Sequence, residues 1–372
     1  MKQTQYRTSE KAEKSIERKG ENVRTKDDLK ILQALPLELK IKLTQRRIRD
    51  WVKEYGEDGV YVSFSGGKDS TVLLHIVREM YPDIEAVFVN TGLEYPEIQK
   101  FVKTFDNVTI LRPKMRFDEV IKKYGYPMIS KEISKQVYEA TNKHGGTAYQ
   151  KLAGTFSRGE KKNTYYPAGK PHKYFPLVEK VDFRVSHYCC EVMKKRPAKE
   201  FEKQSGKNPI LATMASESLL REQQWLRSGC NAYENKRERS APMSFWTEQD
   251  VLQYIKEYNI PIAPVYGDIV YAENPEQMRI EEMGFDGCGN EKLCTTGCAR
   301  TGCIFCGFGS HLQKEPTKFQ RLKQTHPRQY EYCLGGGEYD ENGIWKPNKD
   351  GLGMRHVFDE LNKIYGEGFI KY

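Results

Sequence analysis

No apolar stretch of 18 residues occurs anywhere in this 372-residue chain, which excludes a membrane-spanning helix of ordinary length. The opening MKQTQYRTSEKAEKSIERKG lacks the apolar centre that an export signal needs, so a cytoplasmic location with no membrane association is expected. An acidic excess is missing too. Lys and Arg number 60 against 51 Asp and Glu, a net charge of +9, and the first 50 residues supply 14 basic and 8 acidic side chains. That is a modest bias toward polyanionic partners. Internal repeats are absent. Cysteine is the residue in surplus: there are nine. In a reducing compartment thiols stay free, so nine of them point to metal or sulfur chemistry rather than to disulfides.

Residues 1–50 read as a basic, helical N-terminal arm. Within 29–55 the apolar residues Leu29, Leu32, Leu35, Leu39, Leu43, Ile48 and Trp51 recur at helical spacing, with Pro36 as an interruption. An α/β rhythm follows: VYVSFS, IEAVFVN and NVTIL as strands, with DSTVLLHIVREM and YPEIQKFVKTF as helices between them. It resumes at NPILATMA, then a helix from Ser218 and another, TEQDVLQYIKEYN, capped by Thr247. Short apolar strands alternating with helices predict an α/β fold, a parallel sheet sandwiched by helices. The expected organisation is an arm (1–50), a nucleotide-binding domain (51–270) and a Cys-rich module with a helical C-terminus (271–372). A basic, aromatic insertion at 131–175 interrupts the middle part, with nine Lys or Arg against three Glu.

The stretch SFSGGKDSTVLLHIV, 63–77, joins a strand to a helix. A Walker-type phosphate loop would need Gly where Val62 stands and Ser or Thr where Asp69 stands. What remains is an anion site of another pattern. Gly66 and Gly67 let backbone N–H groups approach a phosphate, the following helix offers its positive end, and Ser63, Ser65 and Ser70 add hydroxyls.

The string SGGKDS after a buried strand resembles the PP-loop of the ATP pyrophosphatases. That resemblance implies a Rossmann-like fold of the adenine nucleotide alpha hydrolase type, with ATP and Mg²⁺ as ligands. Lys68 would neutralise charge developing at the phosphates and Asp69 would help to place Mg²⁺. Four further stretches, within a likeness covering about residues 40–310, resemble the phosphoadenosine phosphosulfate (PAPS) reductase branch of that superfamily. They are VNTGLEYPE at 89–97, YCCEVMKKRPAKEF, ATMASESLLR at 212–221, and APMSFWTEQDVLQYIKEYNIPIAPVY. The resemblance implies nucleotide contacts from Asn90, Thr91 and Gly92, where the branch often has Asp in place of Asn90, and from Ser216 and Arg221. Arg221 joins Lys68 and Asp69 as a candidate catalytic residue.

Cys288, Cys294, Cys298, Cys303 and Cys306 fall within 19 residues, and Cys189 and Cys190 lie far upstream. Spacing alone leaves a structural Zn²⁺ and an iron–sulfur cluster both open. The reductase branch, and the similar sulfurtransferases of DNA phosphorothioation, imply a [4Fe–4S] cluster. Its ligands would be four among Cys189, Cys190, Cys298, Cys303 and Cys306, with Cys288 and Cys294 as alternates or as thiols that carry sulfur. Cys230 and Cys333 read as bystanders.

A sulfonucleotide reductase attacks with a cysteine on a C-terminal tail in a Glu-Cys-Gly context. Here the chain ends YGEGFIKY, and Cys333 lies in YEYCLGGG. The intact glycine loop and the missing tail thiol predict an ATP pyrophosphatase that adenylates a substrate for sulfur transfer and releases pyrophosphate. The sulfur would come from a donor such as a cysteine desulfurase. Two alternatives remain: a PAPS or adenylyl-sulfate reductase that releases sulfite, and a non-catalytic nucleic-acid-binding module. For the acceptor, the segment 131–175 suits nucleic acid, through cations on phosphates and aromatic faces on bases. A small metabolite and a protein partner are the competing classes.

Overall fold

A computed structural model describes residues 24–156, 169–233, 237–272 and 292–372. In chain order the strands used below are β1 (Val60–Ser63), β2 (Ala86–Val89), β3 (Val108–Leu111), β4 (Met128–Ile129), β5 (Asn208–Ile210), β6 (Asn231–Ala232), β7 (Arg239–Ser240), β8 (Ile269–Tyr271), β9 (Leu293–Thr295) and β10 (Gly307–Phe308). The chain divides into two compact units.

The first unit takes the described parts of Met1–Phe88, Pro96–Leu111 and Glu200–Thr301. Its six-stranded sheet runs in the order β3-β2-β1-β5-β7-β6. β1 pairs in parallel with β2 (Val62 opposite Ala86) and with β5 (Val62 opposite Ile210), and β5 in parallel with β7. The expected parallel sheet is present, with the edge strand β6 antiparallel to β7. The chain leaves β1 toward β2 and β3 on one side and reaches β5 on the other, so the strand order reverses at β1, and sheets of this kind hold ligands at the carboxyl end of the strands at such a point. Pro36 ends the pattern as expected: one helix spans Lys26–Gln33 and the next Leu37–Tyr55. The latter packs with the helices Lys68–Met80 and Glu248–Glu257, burying Ile48, Trp51, Val72, Leu73, Ile76, Val77 and Val251. Inside this helix layer Lys40 Nζ reaches both Asp250 carboxylate oxygens at 2.7 Å and the Gln33 carbonyl at 2.7 Å. Those bonds offset the desolvation of both charges, and removing one partner would cost about 3–5 kcal/mol.

The second unit takes Val89–Tyr95, Arg112–Lys199 and Gly302–Tyr372, where described. Its helices include Lys131–Asn142 and Thr147–Ala153, which pack together, and the C-terminal Lys318–Thr325, Pro327–Leu334 and Met354–Tyr365. Phe319, Leu322, Leu334, Val357, Phe358 and Leu361 fill the core between those last three. β10 pairs in parallel with β4, Gly307 opposite Met128. A Cβ at Gly307 would stand 2.5 Å from the Pro127 carbonyl oxygen and from the Met128 sulfur, so glycine is required for this approach. Among the described residues no helix is long and apolar enough to cross a membrane.

Candidate functional site

In the first unit the glycine loop follows the carboxyl end of β1, with Ser63 as the last strand residue. Gly66 has φ +70°, and a Cβ there would stand 2.7 Å from Val102 Cγ2 and 2.8 Å from Ile98 Cγ2. Only glycine fits both the left-handed backbone and the packed wall behind it. Gly67 caps the helix Lys68–Met80. The hydroxyls brace the loop: Ser65 Oγ lies 3.0 Å from Ser70 Oγ and accepts from Gly67 N–H at 3.3 Å, while Ser70 donates to the Gly67 carbonyl at 2.9 Å.

Lys68 is buried. Its Nζ donates to the Ala299 carbonyl at 2.8 Å and pairs with Glu248 at 2.9 Å, and its backbone N–H donates to the Tyr266 hydroxyl at 3.2 Å. Tyr266 in turn lies 2.6 Å from Thr301 Oγ1. Asp69 Oδ1 accepts no hydrogen bond and sits 3.9 Å from Lys68 Nζ. Burial raises the Asp69 pKa, against the pull of Lys68 and Arg300. Arg221, near the start of the helix Leu219–Ser228, pairs with Glu217, which is also 3.7 Å from Arg300. Burial lowers the Arg221 pKa and Arg300 adds to that, while Asp69 opposes both. Ser216 is exposed, and its hydroxyl donates to the Trp246 carbonyl at 3.3 Å. The loop thus gathers three cations, Lys68, Arg221 and Arg300, each held by an acid. Such a set suits a polyanion that arrives with a divalent cation, the phosphates taking the cations and the metal the acids.

The predicted turn Asn90, Thr91 and Gly92 belongs to the second unit. Asn90 Oδ1 accepts from Gly92 N–H at 3.0 Å, and Glu94 accepts from Thr91 N–H at 3.0 Å and Thr91 Oγ1 at 2.8 Å. Ile304 N–H donates to the Leu93 carbonyl at 2.8 Å, which ties the turn to the cysteine segment.

Four cysteines meet in that same unit. Cys189, Cys190, Cys303 and Cys306 line one pocket with Leu93, Phe117, Pro127, Met193 and Lys194. Cys189 and Cys190 open a helix whose next turn, Glu191–Lys195, is π-helical, and their sulfurs are 3.9 Å apart. The β4–β10 pairing brings the second pair in, since Cys306 directly precedes Gly307. Burial pushes the Cys303 thiol up to about 11, with Lys194 opposing, and raises Cys306 against Lys318. Cys190 moves the other way, because the Cys189 S–H donates to it and Lys131, Lys194 and Lys195 surround it. Lys194 lies 3.7 Å from Glu94. Its burial is outweighed by Cys303 and Glu94, so its pKa rises. The donor set fits a thiolate-bound metal group: four sulfurs, apolar walls and a cation. Among the described residues no three His, Cys, Asp or Glu side chains converge on the position of a single ion.

Cys298 and Cys294 are placed in the other unit. Cys298 N–H donates to the Val265 carbonyl at 2.9 Å, and Cys294 lies in β9 opposite Val270 of β8. Cys288 lies outside the described residues. Within 131–175, Tyr149 bonds Glu179 and packs edge-on to Phe175, Tyr138 packs on Tyr188, and Tyr174 is buried. Sequence reasoning did not single out Tyr266, Thr301, Glu248, Arg300, Lys194 or Lys318. Lys194 alone carried a signal, one helical turn after Cys190.

A family model described as phosphoadenosine phosphosulfate reductase domain matches residues 59–307. An uncharacterized protein of Methanocaldococcus jannaschii is 38% identical over 73 residues, 18% of each chain. An adenosine 5'-phosphosulfate reductase of Staphylococcus epidermidis is 25% identical over 219 residues, 58% of this chain and 68% of that one. The alignments to the first few curated relatives span less than a third of those proteins' length. The solved U34-tRNA thiolase NcsA of Methanococcus maripaludis, with its [4Fe–4S] cluster, is 13% identical at a TM-score of 0.32, covering 90% of this chain and 92% of its own.

Proposed function

The chain belongs to the phosphoadenosine phosphosulfate reductase domain family, and from that premise we propose that it is an ATP pyrophosphatase that adenylates a substrate for sulfur transfer. The observation that carries this reading is the complete glycine loop, with its left-handed Gly66, hydroxyl bracing and buried Lys68. A loop of this kind is built for the β- and γ-phosphates, which a sulfonucleotide lacks. Backbone N–H groups at the helix start and Lys68 would hold the departing pyrophosphate. Arg221 and Arg300 would meet the α-phosphate, while Asp69 and Glu248 would turn to Mg²⁺. An acceptor oxygen attacks the α-phosphorus, the α–β phosphoanhydride bond breaks, and pyrophosphate leaves with that bond's electron pair.

The cofactor expected at Cys189, Cys190, Cys303 and Cys306 is a [4Fe–4S] cluster, which would supply a site for holding sulfur or electrons when bound. Zn²⁺ on the same thiols is the alternative. The burial of Cys333 in the helix Pro327–Leu334, its sulfur 3.3 Å from that of Met354, supports transfer over reduction, since a reductase needs an accessible attacking thiol. The acceptor class we favour is nucleic acid, met by the cations of 131–175.

Equilibrium binding tests the reading without knowledge of the acceptor. Mg·ATP should bind at least about tenfold tighter than adenylyl sulfate, a difference of about 1.4 kcal/mol, and Lys68→Ala should erase the preference. Tighter binding of adenylyl sulfate, with sulfite release in the presence of thioredoxin, would instead establish the reductase.

A further inference from the structure

Lys318 lies beyond the family-matched residues 59–307, yet it bonds the main chain of Cys306, one of the four pocket cysteines. It is the first residue of the helix Lys318–Thr325, whose start is fixed by a capping box between Thr317 and Gln320 and by the Thr317 hydroxyl donating to the Lys371 carbonyl at 2.8 Å. From there Nζ donates to the backbone carbonyl of Cys306 and stands 4.7 Å from the Phe319 ring centre.

The company of this ammonium is unusual. Burial lowers its pKa, and the groups that oppose this are Cys306, Cys333 and Cys303; among the described residues it forms no ion pair with a carboxylate. A desolvated cation is costly unless something anionic compensates it. Cys333 points at Met354, and burial raises its thiol pKa. That leaves Cys303 and Cys306, which become anions when they ligate a metal.

We propose that Lys318 is the counter-cation of the metal group held by Cys189, Cys190, Cys303 and Cys306, pinning the Cys306 main chain and raising the group's reduction potential. This rests on the cluster reading above. A four-thiolate iron–sulfur centre carries net negative charge, and nearby cations and hydrogen bonds favour its reduced form. Lys194 supplies one cation from the helix that follows Cys190, and Lys318 supplies another from the C-terminal segment, so the segment after residue 307 completes the pocket electrostatically. Lys318 is a positioning residue and touches no reacting atom.

The test compares wild type, Lys318→Met and Lys318→Arg, each full-length and purified without oxygen. Iron and acid-labile sulfide are measured first, then the midpoint potential by a titration followed in visible absorbance and EPR. Methionine keeps an apolar stem beside Phe319 and drops the charge. The expected result is equal cluster content in all three, a lower midpoint for Lys318→Met and a near wild-type midpoint for Lys318→Arg. An intact cluster with an unchanged midpoint in Lys318→Met overturns this inference and leaves the cluster reading standing. A wild type without iron or sulfide removes both together. Should Lys318→Met lose its iron, Lys318→Arg decides: iron and midpoint retained support the charge role, and iron lost there as well refutes it.

Discussion

The glycine loop and the cysteine pocket are built in opposite ways. The loop is one contiguous string, Ser63 to Ser70, whose proposed binding groups are backbone N–H donors, so its chemistry would be written in a few adjacent letters. The pocket is assembled from Cys189–Cys190 and Cys303–Cys306, more than a hundred residues apart, and exists because β4 pairs with β10 and Gly307 lets them approach. A backbone site is robust to most side-chain changes around it and fragile at its glycines. A side-chain site fails with any one ligand.

The largest expected effect in this comparison belongs to Lys68. Lys68→Ala should slow ATP cleavage to AMP and pyrophosphate by about 10²–10³-fold, as loss of a preorganised charge stabiliser does, and leave iron content alone. Next comes Cys303→Ser, which should lower iron retention by at least the roughly 10–100-fold that even outer-shell partners command, with Mg·ATP affinity unchanged. If either substitution damages both sites equally, the two-site account breaks.

Glycine substitutions sharpen it. Gly66→Ala combines φ +70° with methyl collisions against Val102 and Ile98 and should destabilise the fold by about 1–3 kcal/mol. Gly92→Ala, at φ +74° with open space around it, should cost about 1 kcal/mol. Denaturant midpoints of the two variants give the ranking.

A smaller, pH-dependent effect is expected at the cysteine pair in protein stripped of metal. The Cys190 pKa is lowered to about 6, first by the Cys189 S–H and then by Lys131, Lys194 and Lys195, against desolvation. Thiolate is the reactive form. Alkylation at Cys190 should therefore rise through pH 6 and level off below pH 8, where an ordinary thiol is still mostly protonated. Peptide mapping against pH reads this out, and a midpoint above 8 would contradict it. Smallest of all is Cys298→Ser, which should leave iron content within error of wild type, because Cys298 does not line the pocket.

What could be read in advance followed the same divide. VYVSFS, IEAVFVN and NPILATMA announced β1, β2 and β5 because buried parallel strands are apolar throughout, and Pro36 marked a helix break because proline cannot continue one. The loop was legible down to Gly66. The pocket was legible as a set of seven candidate cysteines and no further, since choosing among them depends on strand pairing at long range. Two-residue strands such as β4 and β10 leave no periodicity to find. Glu248, Arg300 and Lys318 were invisible for a related reason: single charged residues in ordinary helices and loops acquire meaning only from what folds against them.

One measurement bears most directly on the central claim that the chain pairs an ATP-cleaving loop with a four-cysteine cluster site. Protein purified without oxygen should be assayed together for iron, acid-labile sulfide and zinc. A four-cysteine cluster site predicts about four irons and four sulfides per chain, with absorbance near 400 nm. One zinc and no sulfide would contradict it, leaving the cysteines a structural site and the adenylation step without a sulfur centre.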